Sequence, residues 1–282
     1  MLPRTLGVIG LGAVGGSLAW RASRRGVKRI VGYSPLPRDT VAAARVGAVT
    51  EIAHGPEDVA AAADFIVLGV APGAALDLLE RLAAQLLEGE RRYVTDVGSV
   101  KGAIVERAAS LGLAHRFAGS HPLVEATDVG FRSASPELLE QALVYVTPAE
   151  GEELAAREVA DFWTRAVGAH PVTLAAARHD ELLAWSSHLP RAVTGLLAAT
   201  LAAAGPEGAR YGRAALEATA AARREPAVSA EALWLNRRHL LTALGGVEGG
   251  LQELERLLRE GSRSELERWL ESGAAWRERA GP

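Results

Sequence analysis

Short apolar runs alternate with stretches whose apolar residues recur at helical spacing through the first 174 positions. Residues 6–10 form the first run, and 13–25 follow as a helix pattern. Residues 29–33 are a second strand, with a helix predicted from about Asp39. Residues 65–70 are a third strand, closed by the Ala71–Pro72–Gly73 turn, and 76–87 return to helical spacing. A fourth strand opens at Tyr93–Val94. Later strand candidates are 116–118, 142–146 and 170–174, with a helix over 152–167 between the last two. Strands alternating with helices predict an α/β fold built on a doubly wound parallel sheet.

The pattern changes after Ala175. No strand signal remains, and Ala/Leu-rich helical stretches run over 180–204, 210–224, 229–259 and 262–277. Their breaks carry Gly205–Pro206, Pro226 and Gly261, and Ser262 ahead of 264–267 marks a helix start. The expected division is therefore 1–174, dinucleotide-binding, and 175–282, all-helical. The surplus of apolar residues in the helices predicts a homodimer formed through that second domain.

Composition narrows the class. The chain has 282 residues, 49% of them hydrophobic, and a formal net charge of −3, which gives no support to a nucleic-acid surface. It has no cysteine, so disulfides and thiolate metal sites are excluded, and no metal is expected. No apolar run reaches the roughly 18–20 residues of a membrane span. A strand beginning within a few residues of Met1 leaves little room for a leader, so a cytoplasmic location is expected.

Gly10, Gly12 and Gly15 fit G-x-G-x-x-G between a strand and a helix, as a Rossmann-type dinucleotide site requires. Gly10 allows the tight turn, Gly12 admits the pyrophosphate and Gly15 lets helix and strand pack closely. Ala13 and Val14 in the same loop and Val70 after the third strand complete the candidate cofactor contacts. The second strand ends in VGYSPLPRD, with Ser34 where an NAD site usually has a carboxylate. Arg38 follows four residues later. A hydroxyl and a guanidinium suit a 2′-phosphate, so NADP is the expected cofactor, with NAD as the alternative.

Two segments offer reactive side chains: TDVGSVKG at 95–102 contains Ser99 and Lys101, and GSHPL at 119–123 contains His121. Strand ends in an open parallel sheet converge on the ligand crevice. An imidazole there is a competent proton acceptor at neutral pH.

GLGAVGGSLA, TDVGSVKG, GSHPL, ALVYVTP at 142–148 and ARHDELLAWSSHLP at 177–190 occur in an order that resembles the prephenate/arogenate dehydrogenase family. The resemblance covers most of the chain and implies a nucleotide-binding domain followed by a helical dimer-forming domain. It implies NAD(P)-dependent oxidation of a cyclohexadienyl alcohol, with loss of carbon dioxide, in tyrosine biosynthesis. By motif, His121 is the expected acceptor of the hydroxyl proton and Ser99 its partner. His188, in SSHLP, is expected to face the substrate, and Lys101 to reach a phosphate or carboxylate. His179 with Asp180 matches a family signature but is expected to serve as a helix N-terminal feature.

The chain also departs from the family. VEATDVG at 124–130 stands where AGSEKSG is common, and Ala220 stands where an arginine would bind a substrate carboxylate. Arg191, which replaces the second histidine of an HLPH segment, Arg213 and Arg223 are the candidate substitutes. Three functions stay open: dehydrogenation of prephenate or arogenate, dehydrogenation of a modified analogue in secondary metabolism, and non-catalytic dinucleotide binding. A β-hydroxyacid dehydrogenase would need a lysine in the helical domain, and none follows Lys101.

Overall fold

The computed structural model describes residues 2–88, 92–124, 130–205, 210–223 and 226–280. Packing divides the chain into two compact units, Met1–Asn236 and Arg237–Pro282. The first holds both sheets and the leading helices of the strand-free part. The expected division at 174/175 is one of element type, whereas packing divides the chain later.

The first sheet is parallel, in the order β3-β2-β1-β4-β5: β1 (Leu6–Ile9), β2 (Ile30–Tyr33), β3 (Glu51–Ile52), β4 (Phe65–Leu68) and β5 (Tyr93–Asp96). The central strands β1 and β4 are buried at every position, which is why LGVI and FIVL read as unbroken apolar runs rather than alternations. Two apolar clusters cover the two faces of this sheet, with Val8 in one and Ile9 in the other. The connecting helices are α1 (Ala13–Arg24), α2 (Pro37–Arg45), α3 (Pro56–Ala62), α4 (Pro72–Leu87) and α5 (Gly102–Ser110). The doubly wound α/β expectation holds. β3 and α3 lay outside the pattern reading, because two exposed residues and a seven-residue Ala-rich turn carry little periodicity.

A second, three-stranded sheet follows: β6 (Ala118–Pro122), antiparallel to β7 (Leu143–Pro148), which is parallel to β8 (His170–Thr173). A bridge from Val94 to Phe117 joins it to β5. This places His121 inside a strand of a mixed sheet, rather than just beyond the end of a parallel strand as expected. Between β7 and β8, α6 (Glu153–Phe162) continues into a π-helical turn, Trp163–Val167.

The helical part begins with α7 (Ala176–Leu183), a second π turn (Ala184–His188) and α8 (Leu189–Ala204). Pro190 supplies the reason for that π turn. It has no N–H to give to Ser186 four residues back, and its ring would strike that carbonyl. After α9 (Arg213–Ala218) and a 3₁₀ turn (Ala220–Arg223), α10 (Pro226–Leu235) ends at Asn236. The helix expected over 229–259 is thus interrupted there.

In the second unit, α11 (Arg237–Glu260) and α12 (Arg263–Arg279) touch each other and are joined by a short connection. Ser262 caps α12 by accepting from the Glu265 amide, and the Glu265 carboxylate accepts from the Ser262 amide in return. No described helix is long and apolar enough to cross a membrane.

Candidate active site

The glycine loop fits a dinucleotide. Gly10 has φ of +99°, and a Cβ there would lie 2.4 Å from the Gly69 carbonyl oxygen. At Gly15 it would lie 2.0 Å from the Gly10 carbonyl oxygen, so neither position admits a side chain. Gly12, the N-cap of α1, differs: nothing lies within 4 Å of its Cβ position, and no side chain caps the helix. The first turn of α1, which includes Ala13 and Val14, carries no acidic residue, so its amide end suits a pyrophosphate. Val70 packs against Gly10 on the other side.

TDVGSVKG builds the floor. Thr95 and Asp96 close β5, and both are fully buried. The Trp163 indole donates to Ser120 Oγ (2.8 Å), Ser120 to Thr95 Oγ1 (2.6 Å), and Thr95 to the Ala118 carbonyl (2.7 Å). An indole N–H can only donate and a carbonyl only accept, so the direction of this chain is fixed. It fastens β5 and β6 to the π turn of α6. Asp96 accepts from the amides of Gly98 (2.8 Å) and Ser120 (3.2 Å) and pairs with the Lys101 ammonium. Lys101 also donates to the Ser120 carbonyl at 2.8 Å and is fully buried. Burial pushes its pKa down, and the Asp96 charge opposes that. This corrects the expectation that Lys101 reaches a phosphate or substrate; it is a buried strut.

The reactive group rests on that floor. His121 Nδ1 lies 2.9 Å from His179 Nε2, and His179 Nδ1 lies 2.8 Å from Asp180 Oδ1. Asp180 also accepts from the amides of Lys101 (2.8 Å) and Gly102 (2.7 Å), and a Cβ on Gly102 would press within 2.9 Å of its carboxylate. Burial works to raise the Asp180 pKa. The hydrogen bonds from His179, Lys101 and Gly102 outweigh it and hold the group below the usual carboxylate range.

An ionised carboxylate can only accept, so His179 carries its proton on Nδ1 and offers Nε2 as an acceptor. His121 must then donate from Nδ1, which leaves the lone pair on its own Nε2. Among the described residues the only buried, unpartnered side-chain N or O is Gln85 Oε1, so His121 Nε2 opens onto reachable space. Burial, then the neighbouring His179, Lys101 and His188, hold the His121 pKa well below 6.5. The imidazole is therefore neutral at physiological pH. Tyr145, opposite His121 in the β6–β7 register, sets its ring edge-to-face on His179 at 5.6 Å.

His188, on the π turn, is 1% exposed. Asn236 Nδ2 donates to the Asp180 backbone carbonyl (2.8 Å) and to His188 Nδ1 (2.9 Å). The carbonyl fixes which end of the amide faces it, so neutral His188 carries its proton on Nε2. Burial and the Arg191 charge lower its pKa to about 4, against the pull of Asp180. Arg191 sits half-buried one turn beyond His188.

Other expected residues fall elsewhere. Ser99 is half-buried in the loop after β5 and makes no hydrogen bond among the described residues; His179, not Ser99, holds the His121 ring. Ser34 is buried at the end of β2 and accepts from the Leu36 amide at 3.3 Å, and Arg38 is exposed on α2. Arg213 is exposed on α9 and pairs with Glu217 one turn on. Ala220 and Arg223 bound the 3₁₀ turn packed on α8, and the Arg223 side chain lies outside the described residues, as do 125–129 of the altered loop. His179, Asp180 and Asn236 were not expected in the site. The RHD signature was the available signal for the first two.

The model of the prephenate dehydrogenase nucleotide-binding domain matches residues 18–173, and that of the dimerization domain of the same enzyme matches 175–272. The chain belongs to the prephenate dehydrogenase family. It is 29% identical to a Bacillus subtilis prephenate dehydrogenase over 195 residues, which is 68% of this chain and 52% of that protein. The chain thus matches about half the length of that curated relative. Among solved structures it is similar to the prephenate dehydrogenase of Aquifex aeolicus in complex with hydroxyphenyl propionate and NAD+, with TM-score 0.88 and 25% identity over 98% of each chain. It is also similar to an arogenate dehydrogenase from Synechocystis, with TM-score 0.81 and 28% identity, covering 98% of this chain and 99% of that one. The prephenate dehydrogenase motifs TDVGSVKG and GSHPL are here the two edges of one buried hydrogen-bonded floor.

Proposed function

We propose that this chain oxidises and decarboxylates a prephenate-type cyclohexadienyl alcohol, prephenate or arogenate, using a nicotinamide dinucleotide. The observation that carries the reading is the Asp180–His179–His121 chain, which leaves a neutral imidazole with its Nε2 lone pair exposed. That nitrogen accepts the hydroxyl proton of the ring alcohol. As the proton leaves, the carbinol carbon becomes a carbonyl carbon and releases a hydride. The bond to the ring carboxylate then breaks, carbon dioxide departs, and its electron pair aromatises the ring. The nicotinamide, when bound, supplies the hydride acceptor.

The dinucleotide lies along the loop Gly10, Gly12, Ala13, Val14, Gly15, with Val70 beside it. Ser34 and Arg38 favour NADP, because neither would repel a 2′-phosphate as a carboxylate does. His179 and Asp180 are positioning residues, acting through His121. Ser99 contacts substrate or nicotinamide from the loop after β5. His188 donates from Nε2 to the substrate, and Arg191 is the cation for its side-chain carboxylate, which needs a partner once removed from water. The working division is 1–174 for cofactor and 175–282 for substrate and dimer contacts. The dimer forms through faces such as that of α8, where Leu196 and Leu197 are exposed and no residue is buried.

Ala220, in place of the family's carboxylate-binding arginine, supports a second reading: a prephenate analogue modified in its side chain. Turnover with prephenate and arogenate, each with NAD and NADP, tests both. Rapid turnover of either substrate is the expected result. Turnover of neither overturns the first reading and favours the second.

A further inference from the structure

A cleft of about 390 Å³ beside the first turn of α2 is lined by Arg38, Asp39, Ala42, Gly130 and Arg132. Arg132 reaches it from the far side of the sequence, on a 3₁₀ turn (Phe131–Ser133) between β6 and β7. Three contacts hold that turn in place. The Phe131 amide donates to Asp39 Oδ1 at 3.1 Å, the Ser135 amide donates to Ser17 Oγ at 2.9 Å, and the Phe131 ring stacks on Trp20.

Both guanidinium groups are exposed, and neither has an ion-pair partner among the described residues. An adjoining groove of about 720 Å³ shares both and adds Arg45. Asp39, the one carboxylate in the lining, is buried and committed to the Phe131 amide. The single Asp39 charge leaves the two guanidinium groups of the lining in net positive excess, and an anion that accepts from both relieves it. The cleft lies at the carboxyl end of β2. In this fold that edge faces the ribose of the adenosine half, and Ser34 puts a hydroxyl rather than a carboxylate at the strand end.

We propose that Arg132, delivered by the turn after β6, joins Arg38 in gripping the 2′-phosphate of NADP, so that cofactor choice is set by two elements rather than by the β2–α2 loop alone. This rests on the dinucleotide reading above but not on the identity of the oxidised substrate.

Calorimetric titration of the full chain, without substrate, tests it with NADP, NAD, adenosine 2′,5′-bisphosphate and 5′-AMP. The intact protein should bind the bisphosphate about ten- to a hundredfold more tightly than 5′-AMP, the range expected of hydrogen bonds to charged groups. Arg132→Ala and Arg38→Ala should each remove most of that preference while 5′-AMP and NAD affinities change less than about twofold, and Arg132→Lys should restore part of it. Equal binding of bisphosphate and 5′-AMP by the intact protein overturns the proposal. So does an Arg132→Ala variant that keeps the preference or weakens all four ligands alike. Failure to turn over prephenate or arogenate would leave these titrations unaffected, so the two readings fail separately.

Discussion

Asp180 sets the direction of each hydrogen bond between itself and His121. Its low pKa keeps it an acceptor, which decides the tautomer of His179 and, through it, that of His121. His121→Asn should therefore lower the turnover number by about 10²–10⁴-fold, the usual worth of a positioned base, with dinucleotide affinity unchanged. Stopped-flow turnover beside equilibrium cofactor titration checks both halves, and unchanged turnover removes His121 from the mechanism. His179→Gln differs in kind, since the base survives but its orientation is lost. It should reduce kcat while moving the acid limb of the pH–rate profile, because His179 is a leading cause of the depressed His121 pKa after burial itself. A fall in kcat with an unmoved profile would make His179 merely structural. For the carboxylate, Arg191→Ala should raise KM for the substrate with kcat little changed, as loss of binding shared by ground and transition state does.

At the level of elements, the Rossmann-type sheet was legible because the mostly apolar runs of β1, β2 and β4 are buried and stand out against the helices between them. The floor of the site was half legible. Thr95, Asp96, Lys101 and Gly102 lie within one motif, but their partners are distant: Asp180 lies 79 residues from Lys101, and His179 lies 58 from His121. Composition and spacing cannot reveal which of two polar residues on a helix will meet a strand so far away. Asn236 was invisible for the same reason, inside a stretch whose apolar spacing ran on as one helix. The π turn at Ala184–His188 was foreshadowed only by Pro190. Pro190→Ala should allow ordinary helical bonding there and rotate His188 away from Asn236. The expected result is a retained fold by circular dichroism with substrate affinity reduced about tenfold or more, a loss of the order of one hydrogen bond to a charged group.

For the whole molecule, pH and assembly are the measurable properties. His121 and His188 are held neutral, with the pKa of His188 near 4. The unfolded chain takes up these protons near pH 6.5 while the native one resists them, so the unfolded state binds more protons and stability falls as pH drops from about 6.5 toward 4. Asp180 adds to this at lower pH, since its depressed pKa contributes stability that is lost on protonation. Denaturant midpoints across pH 4–8 should show this slope, and His188→Gln should flatten it. The proposed homodimer should dissociate in a Leu196→Glu, Leu197→Glu variant, read by light scattering at matched concentration. One further property follows from the way Asp180 is held. The amides of Lys101 and Gly102 point into a carboxylate carried by a different helix, outside any ladder of their own. Their rate of exchange with deuterated solvent therefore reports how often α7 lifts from α5, and each such opening breaks the catalytic chain without unfolding the sheet beneath it.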